Sequence, residues 1–423
     1  MNIFESFKSR KVEPDQEVTE ARNDIRFPGA EAAISVYLEQ YKGETSRAKI
    51  LKKVFGEFLE QELKRTRVFK SEQSGVQFPY TSIKTGELAR AVYEKILGGK
   101  LPPADSKLPA PRKQEFVFGT SILVEEGNQF TFMEVAMHEC IKHLPSALRD
   151  LKDGKIPEEY EIFTLGMPTN TFGNIPPEAA EKICNNPSDE LGRVYAEMVA
   201  SEMRREAEPP KTVELFGMSL GASLAVRTGE SLVEKRVATQ NPKAAGLPYL
   251  QIRVEAPVAL GTSKLKPLKI SAGFLADAVL ESRRRDVKKI EAGKPEFNEA
   301  VRSYLIRHGM KEKASAEEIK IKKKVMRSII FALGRGLKPK PDTKVTEVYG
   351  LKDLTVATLG MVRGAALSKK QHAGKLGESL LERTNKNGRR FGADMIHLNP
   401  WFRENELRRM DELGRTMENL KSF

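Results

Sequence analysis

Gly217-Met218-Ser219-Leu220-Gly221 is the stretch of this sequence whose residue types and spacing point most directly to chemistry. It reads G-x-S-x-G, follows the apolar run Val213, Leu215 and Phe216, and precedes the small-residue helix start Ala222-Ser223-Leu224-Ala225. A serine hydroxyl becomes a useful nucleophile when a sharp strand-to-helix turn lifts it out of a sheet. Glycines two before and two after remove side chains that would collide there. Ser219 is therefore the candidate nucleophile. The plainer reading of the same pattern is a tight turn whose glycines serve packing alone.

With that strand and helix around it, the sequence resembles the α/β-hydrolase superfamily from about Glu115 to the C-terminus, leaving roughly the first 110 residues unmatched. The resemblance implies the chain order nucleophile, acid, histidine. Asp353 is the implied acid, in Val345-Thr346-Glu347-Val348-Tyr349-Gly350-Leu351-Lys352-Asp353, a late strand followed by G-x-x-D; Glu255 is the fallback. His397 is the implied base, in Gly392-Ala393-Asp394-Met395-Ile396-His397 at the end of the last expected strand. Among five histidines, His138 and His143 precede the serine, His308 falls in inserted helices, and His372 lies in a helical segment and ranks second. The acid would hold the imidazole in one tautomer and stabilise the imidazolium formed when serine gives up its proton. An oxyanion needs two preorganised amides. One is the Leu220 N–H; the resemblance implies the Met167 N–H as the other, in Leu165-Gly166-Met167-Pro168-Thr169-Asn170, with Leu165 where the family often has histidine. As a bland alternative, Gly166 and Pro168 form a strand-ending turn. The implied activity is cleavage of a carboxylic ester or related acyl bond through an acyl-enzyme, on a small-molecule or lipid-like substrate, with no cofactor and no metal.

Positioning such residues requires a sheet. From Tyr160 onward strands and helices alternate: strands over Glu161 to Leu165, Thr212 to Met218 and Tyr249 to Leu260, helices over Pro176 to Cys184, Asp189 to Glu206 and Gly221 to Glu234. That spacing implies crossover connections and a mostly parallel sheet with helices on both faces, so the class is α/β. Glu115 to Val124 and Gln129 to His138 are β-rich runs around Glu125-Glu126-Gly127-Asn128, which predicts a hairpin. His138-Glu139-Cys140 with His143 matches no zinc spacing and is expected to pack in the core. Before these runs, Ile50, Leu51, Val54, Phe55, Phe58, Leu59 and Leu63 fall on one helix face, and Pro28 to Gly98 reads as helical. The expected domains are a tail over 1–27, a helical extension and linker over 28–113, a core over 114–260 and 341–423, and a helical cap over 261–340. The last cap helix has a capping box, Ser315 with Glu318, and an apolar stripe including Ile319, Val325 and Ile329. Sheet grammar resumes at Lys344 to Gly350 and Gly392 to Leu398, before a terminal helix from Pro400 to Leu420.

Charge narrows the partners. The 423 residues carry a net charge of +13, and the 261–340 insertion holds 21 Lys and Arg against nine Asp and Glu, a balance of +12. Its runs Arg283-Arg284-Arg285, Lys288-Lys289 and Lys322-Lys323-Lys324 could draw in an anionic substrate or an acidic lipid surface. Nucleic acid is disfavoured, since few aromatics interleave with these charges for base stacking. Two cysteines exclude a disulfide framework or a multi-thiolate zinc site, so a cytoplasmic protein held by packing is expected. Met1 to Glu20 lacks the apolar core of a signal peptide, and no stretch approaches the roughly 20 apolar residues that span a bilayer. The alternative from another class is a non-catalytic hydrolase-like scaffold that binds an acidic partner or anionic membrane through the basic cap.

Overall fold

The structure, a computed structural model, describes residues 45–100, 112–118, 129–170, 172–205, 208–218, 220–244, 246–255, 303, 306, 314–335, 339–350, 383–384, 389–392 and 403–421. Nine strands form one sheet: β1 (Arg67–Lys70), β2 (Gln77–Lys84), β3 (Lys113–Phe118), β4 (Tyr160–Leu165), β5 (Thr212–Met218), β6 (Tyr249–Glu255), β7 (Thr346–Gly350), β8 (Arg383–Thr384) and β9 (Arg389–Gly392). Their order is β1-β2-β4-β3-β5-β6-β7-β9-β8. β4, β3, β5, β6, β7 and β9 run parallel, whereas β2 is antiparallel to β4 and β8 to β9. The class is α/β, as the alternation from Tyr160 requires.

Parallel strands joined by crossovers are buried on both faces, so apolar residues occupy successive positions. Phe116, Phe118, Phe163, Leu165, Val213 and Leu215 enter one core, with helices α4 (Pro177–Asn185), α5 (Pro187–Met203), α6 (Leu220–Glu234) and α7 (Ala316–Arg335). Phe116 stacks on Phe163 with centroids 4.5 Å apart. The neighbouring positions Val117, Ile162 and Phe216 enter a second core, with α1 (Thr45–Lys64), α2 (Thr85–Ala91), α3 (Gln129–Lys152) and α8 (Arg403–Lys421).

Two expectations need correction. Gln129 to His138 is not the second arm of a hairpin but the start of α3. The local Phe and Thr content favours strand, yet buried Met137, Cys140, Ile141, Leu144, Leu148 and Leu151 recur every three or four residues, a helical period that packing enforces. Secondly, the 28–113 stretch is not wholly helical and not separate from the sheet. Ile50, Leu51, Val54, Phe55 and Phe58 do line a helix, but β1 and β2 add two strands, with Tyr80 paired to Leu165 on β4. Short alternation, interrupted by Pro79, hid them. β9 spans Arg389–Gly392, and of the expected run Gly392 to Leu398 all but Gly392 lies outside the described residues. The capping box is present: Glu318 N–H donates to Ser315 Oγ at 3.2 Å, and Ser315 N–H donates to Glu318 Oε2 at 2.6 Å. No helix among the described residues is long and apolar enough to cross a membrane.

Glu159, just before β4, accepts the Gly86 N–H at 2.8 Å through Oε1, while its buried Oε2 has no hydrogen-bond partner. Burial pushes its carboxyl up to about 7, partly offset by the Gly86 bond. The folded protein therefore holds a proton there that the unfolded chain releases, so this contribution is full at low pH and is lost as pH rises through about 7. Glu159→Gln keeps the acceptor and removes the titration. Denaturant titrations from about pH 5 to 8 should show a flatter profile for the variant, by up to about 1.4 kcal/mol per pH unit. Identical slopes in the two proteins would contradict this.

Candidate active site

In open α/β sheets the functional crevice lies beyond the carboxyl ends of the strands. Here those ends are aligned: Leu165 pairs with Phe118, Phe118 with Gly217, and Met218 with Glu255. β5 ends at Met218 and α6 begins at Leu220, leaving position 219 between them; Ser219 itself lies outside the described residues. The turn is tight enough to exclude a side chain at its start. A Cβ on Gly217 would stand 2.7 Å from Ala222 Cα and 2.8 Å from its amide nitrogen, and closer still to the Gly221 carbonyl oxygen. Backbone approach at that distance is the physical content of the first glycine in G-x-S-x-G. Leu220 opens α6, so its N–H belongs to the first turn, whose amides lack intrahelical acceptors.

Asp353 and His397 lie outside the described residues, as do His308 and His372. The strands that lead to them are described. The chain leaves β7 at Gly350, three residues before Asp353, and β9 at Gly392, five residues before His397. β7 lies two strand spacings from β5, about 10 Å, and β9 one further, while five residues of chain reach up to about 17 Å. β7 and β9 thus end at the edge of the sheet where β5 ends. Glu255, the fallback acid, closes β6 at the same edge. His143 is elsewhere: it stacks on Tyr160, the first residue of β4, with centroids 4.1 Å apart, and burial pushes its pKa down to about 4.

The Met167 amide, the second donor that the resemblance implies, does not follow the strand beside β5. Met167 follows β4, and β3 stands between β4 and β5, so the two strand ends are about 10 Å apart. An oxyanion must sit within about 3 Å of both donors. The residues after Leu165 are instead a packing loop. Tyr195 Oη donates to Gly166 O at 2.9 Å and lies 3.4 Å from Met167 Sδ, and the Asn170 N–H donates to Met167 O at 3.0 Å. The strand beside β5 is β3, and residues 119–128 join it to α3. That loop lies outside the described residues.

Strand order, strand direction and elbow agree. The fold is α/β, a mostly parallel sheet with helices on both faces. No family model and no curated protein matches the chain. Among solved structures it is similar to a hyperthermophilic esterase from the archaeon Pyrobaculum calidifontis, at 12% identity over 92% of this chain and 96% of that one, with a TM-score of 0.33. A thermostable esterase from Pseudomonas putida gives 13% identity over 94% and 97%, TM-score 0.32. The N-acyl homoserine lactonase AidH gives 12% over 85% and 99%, TM-score 0.34. The α/β class rests on the sheet itself, not on these likenesses. Among the described residues no group of three or more His, Cys, Asp or Glu could hold a metal ion.

The turn geometry has a direct test. Gly217→Ala should cost about 1–3 kcal/mol by overpacking. Gly56→Ala, on an exposed turn of α1 with nothing within 4 Å of the new Cβ, should instead gain about 0.5–1 kcal/mol. Urea midpoints of the two variants moving the same way would rule the close approach out.

Proposed function

We propose that the chain is a serine hydrolase that cleaves a carboxylic ester, or a related acyl bond, through an acyl-enzyme. The observation that carries this reading is the side-chain-free contact between Gly217 and the first turn of α6, at the carboxyl edge of a sheet with the α/β-hydrolase strand order. Ser219 Oγ attacks the carbonyl carbon while His397 takes its proton. Collapse of the tetrahedral intermediate breaks the bond to the leaving alcohol, which takes that proton from His397. Water then attacks the acyl-enzyme with His397 as base, releasing the acid and restoring the serine. Asp353 orients the imidazole and stabilises its charged form. The Leu220 amide and an amide of the 119–128 loop, beginning at Gly119, hold the oxyanion.

The experiment is turnover of a short p-nitrophenyl ester together with labelling by a fluorophosphonate. The native protein should turn over and label. Ser219→Ala should lose both, with turnover down about 1,000-fold or more while the circular dichroism spectrum is kept. Undiminished turnover in that variant would overturn the assignment.

A second reading has its own observation. α7 turns Lys320, Lys323, Lys324 and Arg327 outward, with Phe331 64% exposed among them. Such a face suits an anionic lipid surface. Lys322 does not belong to it, being buried and donating to Asn170 O at 2.9 Å. Absence of labelling, combined with salt-sensitive binding to phosphatidylglycerol vesicles, would favour a non-catalytic scaffold.

A further inference from the structure

On the sheet face covered by α3, three glutamates converge among residues of the apolar core. Glu115 of β3, Glu214 of β5 and Glu139 of α3 are 2%, 6% and 0% exposed. Glu115 and Glu214 are direct cross-strand partners, a repulsive pairing unless a cation stands between them. Arg253 reaches in from β6. Its Nη2 lies 3.2 Å from Glu115 Oε1 and 3.1 Å from Glu139 Oε1, and its Nε lies 2.9 Å from Glu214 Oε1. The guanidinium carbon sits 4.3 Å above the Phe216 ring. Lys113 of β3 pairs with Glu214 and, at 3.4 Å, with Glu115. Lys142 of α3 pairs with Glu139 at 3.2 Å, and Arg409 of α8 adds positive field there. His143 of α3 is neutral at physiological pH, its pKa lying near 4.

The chain positions of these partners give the cluster its meaning. Glu214 and Phe216 sit on the strand that delivers Ser219. Glu115 sits on the strand that enters the 119–128 loop, and Glu139 on the helix that leaves it. We propose that Arg253 is a positioning residue: it fixes β3 and α3, which hold both ends of the loop carrying the second oxyanion amide, against β5, which carries the nucleophile. This rests on the serine-hydrolase reading above. A planar guanidinium with donors in a rigid fork sets one geometry among three carboxylates, which a flexible ammonium does not. Burial, followed by Glu139 and Glu214, pushes the Glu115 carboxyl up to about 7, while Arg253 and Lys113 oppose the rise; Arg253 holds Glu139 and Glu214 below the usual range. Near neutrality one proton at Glu115 therefore lets the three carboxyl groups share the site, and its loss sets them against each other.

The test uses the full chain and expresses kcat per fluorophosphonate-labelled site, so that misfolded protein does not count. Arg253→Met should lower kcat about tenfold to a hundredfold with KM changed less than about threefold, and Arg253→Lys should recover part of the loss. Glu115→Gln, which mimics the protonated acid, should keep kcat near neutrality and lack the decline expected of the native protein as pH rises above about 7. Should Arg253→Met fail to fold, Glu139→Gln must show the same loss in kcat. Unchanged kcat per labelled site, or superimposable pH profiles for Glu115→Gln and the native protein, would overturn the proposal. If the native protein neither labels nor turns over, the serine reading fails instead. Deuterium exchange across 129–152 then decides: faster exchange in Arg253→Met supports positioning, and unchanged exchange refutes it.

Discussion

The end of β5 and the first turn of α6 approach until no side chain fits between them at Gly217. The rest of the site follows from that contact, because it fixes which edge of the sheet is functional and which strands can contribute. The strand beside β5 on one side is β3, and on the proposed reading it is the nearest source of a second amide. On the other side β6, β7 and β9 end at the same edge, so short segments beyond them suffice for an acid and a base. The requirement is geometric, and it would hold for any chemistry performed at this turn.

Much of this was legible in the residues. The elbow, the helix–strand alternation after Tyr160 and the capping box at Ser315 and Glu318 each have a local cause, in glycine sterics, hydrophobic period or a side chain reaching its own helix end. What escaped has a non-local cause. β2 is held by pairing with β4, about 80 residues away, and its own eight residues carry a proline. α3 opens with Phe130-Thr131-Phe132, which favours strand, and becomes helical through a buried stripe that begins at Met137. Missing the first pair and misreading the second shifted the strand count, so the expected oxyanion loop follows β4, which is not the strand beside β5. The site residues Ser219, Asp353 and His397 were proposed from motif and chain order, and they lie outside the described residues.

The charges under β3, β5 and β6 were visible as letters but not as a cluster. A glutamate between Val213 and Leu215, or an arginine between Ile252 and Val254, looks in sequence like the solvated face of an alternating strand. Both faces are in fact covered, so each charge had to find a partner inside the protein. Such networks are poor sources of stability, since desolvation takes back most of the Coulombic gain. Apolar residues fill the other face of the same strands, including Phe116, Leu215 and Val254. Stability alone would be served equally well by apolar packing on both faces, so the charged face is better explained by direction than by strength.

The insertion is constrained in a related way. α7 buries Val325 and Ile329 against α4 and α5, and Lys322 reaches across to the Asn170 carbonyl. The Asn170 N–H donates to Met167 O, and Gly166 O accepts from buried Tyr195. A cationic side chain taken from a basic run is thus spent on joining the insertion to the loop after β4. Exposed lysines on one helix face can attract a surface, but this one has exchanged hydration for a fixed backbone acceptor. That exchange is favourable only if helix and loop keep their relative position. α7 is therefore a wall of the α/β body, and its outward charges are carried on a rigid support.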